Sequence, residues 1–417
     1  MRRWWDIYKK AYGGLSTASW MLALIQLVNR SGSMVLPFLA IYMTTQLGYS
    51  VQQVGAIMST YGIGSLAGSY LGGWLTDKIG AFKVQFNSLF LGGLSFFLLP
   101  FLTGYVALLA GILLSSTLIE MLRPANTTSV SLYARPENIT RAFSLNRLAI
   151  NLGVSVGPAI GGLLAGISYT WIFVADGITC IIAAGVFYAY FHDRPVRQST
   201  AAEDGKATVN LPRPKPLKDK IYILFAMLCG LYGMLFLQIF QVLPLYYRQE
   251  AGLSEPGIGL ILGFNGLIVF AIEMVLVYAI ENRFALQRII VVGVLLCGLS
   301  FLILLLGQSI TVLYAGMLLL SLSEILAMPF MVTLVVQRAG AHARGSYLGV
   351  YTMSWSLAFI VSPGISTYFI SHYGFDGLWW FNGVISGVIM LGIVAITGKM
   401  QGQPRVHAEE EALATNL

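Results

Sequence analysis

Runs of apolar residues, each long enough to cross a hydrocarbon layer of ~30 Å, recur along the chain with only short polar or Gly/Pro-rich breaks between them. Twelve spans are predicted, at about 16–45, 51–76, 83–103, 105–134, 140–167, 170–191, 219–247, 255–280, 286–307, 309–337, 343–371 and 376–398. Several exceed the minimum length, so tilting or protrusion past the headgroups is expected. The one long polar interruption is rich in Pro, Arg and Lys and reads as a flexible linker. The pattern therefore predicts an all-α integral membrane protein of two pseudo-symmetric six-helix bundles. An interfacial segment over 1–15 precedes a bundle over 16–191; a linker over 192–218 leads to a second bundle over 219–398 and a disordered tail over 399–417, which carries Glu409-Glu410-Glu411.

Composition agrees and narrows the classes. Of the 417 residues 57% are hydrophobic and 10% charged, with a mean hydropathy of +0.75, against about 25% charged in soluble chains. A water-soluble fold could not hide that much apolar surface. The net charge of +7 marks topology, not nucleic acid: with both termini on one side, 21 of the 25 Lys and Arg fall on that face. The positive-inside rule then makes the termini cytoplasmic. The basic, aromatic start (Arg2, Arg3, Trp4, Trp5, Lys9, Lys10) leads into an apolar run reaching Met43 without a small-residue cleavage site. It reads as an anchor before a retained first span, not a signal peptide. Cys180, Cys229 and Cys297 all sit in apolar runs, which predicts neither disulfide nor metal site.

The halves repeat. Gly48-Tyr49-Ser50 returns as Gly252-Leu253-Ser254 and Gly55 as Gly259, both at an offset of 204, as do Glu120 with Glu324 and Asp77 with Glu281. Val35-Leu36-Pro37 returns as Val242-Leu243-Pro244, and Pro158 as Pro363. Duplicated bundles of parallel repeats are a common construction of secondary transporters.

Two motifs carry a family resemblance. Between spans two and three lies Gly73-Trp74-Leu75-Thr76-Asp77-Lys78-Ile79-Gly80-Ala81-Phe82-Lys83. It resembles the signature loop Gly-x-Leu-x-Asp-Arg-x-Gly-Arg-Lys of the major facilitator superfamily, with Lys78 for the Arg and with Ala81 and Phe82 interrupting the basic pair. Glycines there are expected to let helix ends approach, and Asp77 to hold a cytoplasmic gate with a basic residue or a helix N-terminus. Span five carries Gly153-x-x-x-Gly157-Pro158-x-x-Gly161-Gly162, which resembles the pattern of the superfamily's drug/proton antiporter branch. Small residues four apart allow close backbone contact, and the proline adds a kink. The resemblance implies a central cavity lined by spans one, four, seven and ten. It also implies a small-molecule substrate, protons as the energy source with no cofactor, a monomer in the lipid bilayer, and the inner membrane of a bacterium.

Charges inside spans cost ~2.5–3.5 kcal/mol on insertion scales, so each is a functional candidate. Here they concentrate on spans one, four and ten. Arg30 follows Asn29; Glu120 and Arg123 are i,i+3 neighbours; Glu324 lies in span ten. Glu120, tuned by Arg30 and Arg123, and Glu324 are the expected proton-coupling residues. Gln26, Tyr232, Gln238 and Gln241 are expected to complete the pocket. Arg147 and Glu273 are each about 10 Å from the cytoplasmic edge at ~1.5 Å per residue and are expected to pair. Asp176, whose repeat mate is Asn382, is read as an interfacial cap.

These features predict proton-coupled secondary transport, most simply efflux of amphiphilic compounds. The alternative is proton-driven symport of zwitterions such as short peptides, since two arginines and Glu324 could hold a carboxylate and an amine together. The layout is similar to that of proton-coupled oligopeptide transporters, but their Glu-x-x-Glu-Arg appears here as Gln26-Leu27-Val28-Asn29-Arg30. A membrane enzyme is disfavoured because His192, His342, His372 and His407 all fall at loops or ends, away from Cys or acid clusters. No nucleotide-binding loop is present.

Overall fold

The computed structural model describes residues 14–135, 139–194, 216–280, 283–339 and 344–400. The core of the linker, the tail beyond Met400 and most of the N-terminal segment therefore lie outside the described residues. All the regular structure among the described residues is helical. The helices are α1 (Thr17–Ser31), α2 (Val35–Thr45), α3 (Val51–Ile79), α4 (Ala81–Leu98), α5 (Tyr105–Glu120), α6 (Leu122–Tyr133), α7 (Ile139–Ile167) and α8 (Tyr169–Phe191). They continue as α9 (Lys220–Phe236), α10 (Gln238–Gln241), α11 (Leu243–Gln249), α12 (Glu255–Ile280), α13 (Leu286–Leu302), α14 (Ile310–Ala339) and α15 (Arg344–Met400).

Among the described residues ten stretches are long and apolar enough to cross a membrane, not twelve. Two physical reasons account for the difference. The fifty-residue stretch Tyr347–Ile396 is one of the ten, yet it contains Gly374 at φ 69°, ψ −176°, where one helix ends and another begins. The helix α3 has the length, but repeated Gly, Ser, Thr and Tyr through its middle dilute its apolar character.

The chain divides into two compact units. Unit one comprises the chain up to Ala207 together with Tyr247–Phe270; unit two comprises Thr208–Tyr246 and everything from Ala271 onward. In unit one, α1 lies along α7 and α8, α3 along α5, and α4 along α8. Its core brings Leu22, Ile25, Leu89, Leu122, Val130 and Phe187 together, all essentially inaccessible. Glycines set how closely these helices meet. A Cβ on Gly64 would fall 2.7 Å from the Leu113 carbonyl oxygen, one on Gly68 2.3 Å from that of Thr117, and one on Gly72 2.6 Å from the Met121 Cα. In unit two, α9 packs on α15 and α13 on α14. Trp379, fully buried, stacks on Phe301 at 5.5 Å and meets Tyr246 edge-on at 5.2 Å.

The repeat appears in backbone detail. Gly48 and Gly252 both adopt left-handed φ, 69° and 63°, which L residues rarely enter. The next residue in each case donates backward across the turn, Tyr49 to Met43 at 3.0 Å and Leu253 to Tyr247 at 2.9 Å. Span one breaks between Ser31 and Val35, and span seven between Phe236 and Leu243.

Candidate functional site

In unit one, span four breaks at Met121, between α5 and α6. Pro124 supplies no N–H to the Glu120 carbonyl, which removes the hydrogen bond that would have continued the helix. The break leaves Glu120 and Arg123 on either side of it, with Arg123 Nη2 3.1 Å from Glu120 Oε2. The partners differ sharply in setting: the Glu120 side chain is 7% exposed and that of Arg123 61%. Oε2 is buried, and this approach lacks hydrogen-bond geometry, so the oxygen keeps an open lone pair. The guanidinium is thus accessible while its carboxylate partner is enclosed.

Arg30 closes α1, and its Nε is buried with no hydrogen-bond partner. Asn29 is 5% exposed and donates to Cys180 Sγ at 3.3 Å; Gln26 is buried beside it on the same helix. Tyr61, on α3, sits within electrostatic range of Glu120, Arg30, Asp176 and Arg123. The sequence reading missed Tyr61; its only signal was a hydroxyl next to Gly62 and Gly64 in a helix built mainly for close packing.

In unit two, Tyr232 is fully buried, with its hydroxyl 2.9 Å from Ser323 Oγ, and Glu324 is half-buried within electrostatic range of it. Trp355 lies 6.1 Å from the Tyr232 ring and 6.5 Å from Phe236. Gln238 is engaged with Asn382 in a reciprocal amide pair at 3.0 and 2.8 Å, so both of its polar ends are satisfied within the bundle. Gln241 is 4% exposed, and neither amide atom has a hydrogen-bond partner. Glu120 and Glu324 are each followed by a proline, Pro124 and Pro329, but span ten runs on as one helix through its proline where span four breaks. Arg147 belongs to unit one, on α7, and Glu273, 8% exposed, to unit two, on α12.

The signature loop is a turn whose key residue is Gly80. At φ 89°, ψ 151° it ends α3 and begins α4 in one step. Gly73 corrects the expectation of close approach, because a Cβ there would meet nothing within 4 Å. Lys78 Nζ lies 3.9 Å over the Trp74 ring, while Asp77 and Lys83 are exposed.

The glycines of span five have two neighbours. Gly153, Gly157 and Gly161 face the break in span one, where added Cβ atoms would come 2.6 Å from Arg30 Cβ, 3.2 Å from the Arg30 carbonyl oxygen and 2.9 Å from Met34 Cβ. Gly162 faces the start of α12, with a Cβ 2.4 Å from the Glu255 carbonyl oxygen and 3.0 Å from the Gly259 Cα. Ser155 Oγ donates to the Gly263 carbonyl at 3.1 Å, and Glu255 Oε1 accepts from Tyr169 at 2.9 Å and lies 3.4 Å from Arg248 Nη2. Pro158 sits at this crossing, its carbonyl oxygen 2.4 Å from where a Gly259 Cβ would lie. Because backbone cannot yield as a side chain can, Gly259→Ala is expected to cost about 1–3 kcal/mol. Melting of the detergent-solubilised protein measures this against Gly185→Ala, where a Cβ meets nothing within 4 Å.

Known proteins resemble the whole chain. The model of the Major Facilitator Superfamily matches residues 22–363 and 282–415. A Na(+), Li(+), K(+)/H(+) antiporter of Planococcus maritimus is 22% identical over 88% of this chain and 92% of its own. Multidrug resistance protein MdtH of Edwardsiella ictaluri (strain 93-146) is 26% identical over 78% of this chain and 79% of its own. A solved POT family transporter in complex with a thioalcohol-conjugated peptide shares the fold, with a TM-score of 0.77 at 18% identity, over 94% of this chain and 99% of that one.

Proposed function

The chain belongs to the Major Facilitator Superfamily, a family of transporters, and from that premise we propose that it is a proton-coupled secondary transporter exporting small amphiphilic molecules by alternating access. The observation that carries the reading is Glu120. It is a carboxylate buried inside a span, with one oxygen that has no hydrogen-bond partner and a cation that is itself 61% exposed, so a proton or a second cation can reach it without leaving a bare charge buried. The acid can therefore trade its partner for a proton or a cationic substrate without dismantling the bundle. Glu324, its repeat mate by sequence, lies within electrostatic range of Tyr232, whose own ring is 6.1 Å from Trp355, and gives unit two a carboxylate with an aromatic neighbour. That is a chemistry suited to amphiphilic cations. The names of two relatives, a cation/proton antiporter and a multidrug resistance protein, support proton exchange and drug-like substrates.

In this scheme Glu120 and Glu324 carry protons, and Asn29, Arg30, Arg123 and Gln241 add polar contacts. The scheme places both termini in the cytoplasm, an orientation that the Lys and Arg distribution supports. One observation favours symport of zwitterions as a second reading: Arg30 holds a buried Nε with no hydrogen-bond partner, a donor suited to a substrate carboxylate. Purified protein in vesicles under an imposed pH gradient separates the two. Accumulation of a lipophilic cationic dye in an acidic lumen is expected. Movement of a dipeptide with the gradient instead selects the second reading, and movement of neither overturns both.

A further inference from the structure

We infer that Asp176 is the pin that sets the bend of the first span, and thereby where Asn29 and Arg30 sit, a positioning role in the transport proposed above, on which this inference rests. Asp176 is 3% exposed on α8, in a helix otherwise rich in apolar residues. Its Oδ2 accepts from the backbone amides of Met34 at 3.3 Å and Val35 at 3.1 Å, the opening amides of α2. Such amides have no partner within their own helix, and a carboxylate satisfies them while matching the positive end of the helix dipole.

The grip extends to both sides of the break. One turn along α8, Cys180 accepts from Asn29 on α1, while Asp176 holds the start of α2. Between them Thr179 fills the space at Gly32, where a Cβ would fall 1.8 Å from its Oγ1. From the opposite side Gly157 presents bare backbone to the carbonyls of Arg30, Ser31 and Ser33, each 3.2–3.3 Å from where its Cβ would be. The turn thus sits in a socket with α7 backbone on one wall and an ionisable pin on the other. The glycine pattern of span five serves as the smooth wall of that socket.

The second repeat shows that the bend itself needs no charge. There Asn382 stands where Asp176 does in the first, and it pairs with the Gln238 side chain at the break in span seven. That break is held by a neutral side-chain pair and not by a cap on backbone amides. A buried carboxylate in the first repeat is therefore a burden that the fold alone does not require. Its distinctive effect is a direct hold on the two opening amides of α2, which the amide pair of the second repeat does not make.

Asp176→Asn tests the pin, since it places the chemistry of Asn382 at that position. Nitroxide labels at Leu24 on α1 and Thr45 on α2, both exposed, report the bend; the three native cysteines are buried and do not compete for label. The expected result is a shifted or broadened distance distribution, with the apparent KM for the dye raised about tenfold and the maximal rate within about twofold. Asp176→Glu, which keeps the carboxyl group on a longer arm, is the second variant should the first fail to fold, and it is expected to shift the distance while keeping the distribution narrow. An unshifted distribution in whichever variant folds overturns the inference, as does a shifted one with unchanged KM. The label distances need no substrate. Wild-type protein that moves no dye would reject the transport reading and leave the bend measurement standing. A native distribution in Asp176→Asn would reject the pin alone.

Discussion

Arg338→Met is expected to destabilise unit two by about 3–5 kcal/mol, because it removes one partner of a buried ion pair and strands the other. Arg338 Nε and Nη2 donate to Asp219 Oδ2 and Oδ1 at 2.8 and 3.1 Å, a bidentate clasp between side chains 6% and 10% exposed. Asp219 also caps α9 by accepting from the Tyr222 amide at 3.1 Å, and it accepts from the Tyr347 hydroxyl at 3.2 Å. Arg338 Nη1 reaches the Met400 carbonyl at 3.5 Å, and the Tyr222 hydroxyl donates to the Tyr347 backbone carbonyl. One node thereby joins the start of α9, the end of α14 and both ends of α15. Arg338→Met combined with Asp219→Asn is expected to cost less than Arg338→Met alone, since no lone charge is left buried. Thermal unfolding in detergent of the two variants and the wild type gives the comparison; equal melting of wild type and Arg338→Met would contradict it.

Acid should erase this difference in a defined direction. Burial alone would raise the Asp219 carboxyl, but hydrogen bonds from Arg338, the Tyr222 amide and Tyr347 outweigh it and hold the group below its ordinary value. A depressed carboxyl contributes fully above its unfolded value of about 3.9 and loses that contribution as pH falls through the folded value. The stability gap between wild type and Asp219→Asn is thus expected to stay constant from neutral pH to about 5 and to close below about 4.

Glu324→Gln is expected to lower pH-driven transport at least about 100-fold while leaving gradient-free exchange of substrate across the vesicle wall within about tenfold of wild type. Glutamine keeps the shape and hydrogen bonding of the protonated acid, so binding and the conformational cycle persist while proton release does not. Glu120→Gln is expected to be milder, since the Arg123 beside it is 61% exposed and is not left as an enclosed charge. Transport of pH-jumped vesicles read beside exchange at uniform pH separates the two effects. Equal loss of both would assign Glu324 to binding or folding instead of coupling.

Much of this was legible in the sequence, for identifiable reasons. Apolar runs report spans because the bilayer demands them, and the repeat could be read from Gly48 and Gly252, whose left-handed φ leaves few alternatives to glycine. The i,i+3 spacing of Glu120 and Arg123 gave their ion pair directly. What the sequence hid was partner choice across helices. Gln238 read as a pocket residue, yet a partner 144 positions away, Asn382, takes both its polar ends. Asp176 read as an interfacial cap. Capping was right in kind, but the helix it caps is the second half of span one, which only folding brings beside it. The glycines at 64, 68 and 72 escaped notice because their purpose is a neighbour's backbone, which no local pattern records.

Proton movement measured together with substrate movement tests the central claim most directly. Vesicles holding the purified protein and a trapped pH indicator receive a lipophilic cationic dye at uniform starting pH. The expected result is a change in luminal pH that tracks dye entry, is absent in Glu324→Gln and collapses with a protonophore. Dye that crosses through the wild-type protein while luminal pH stays flat would contradict the account.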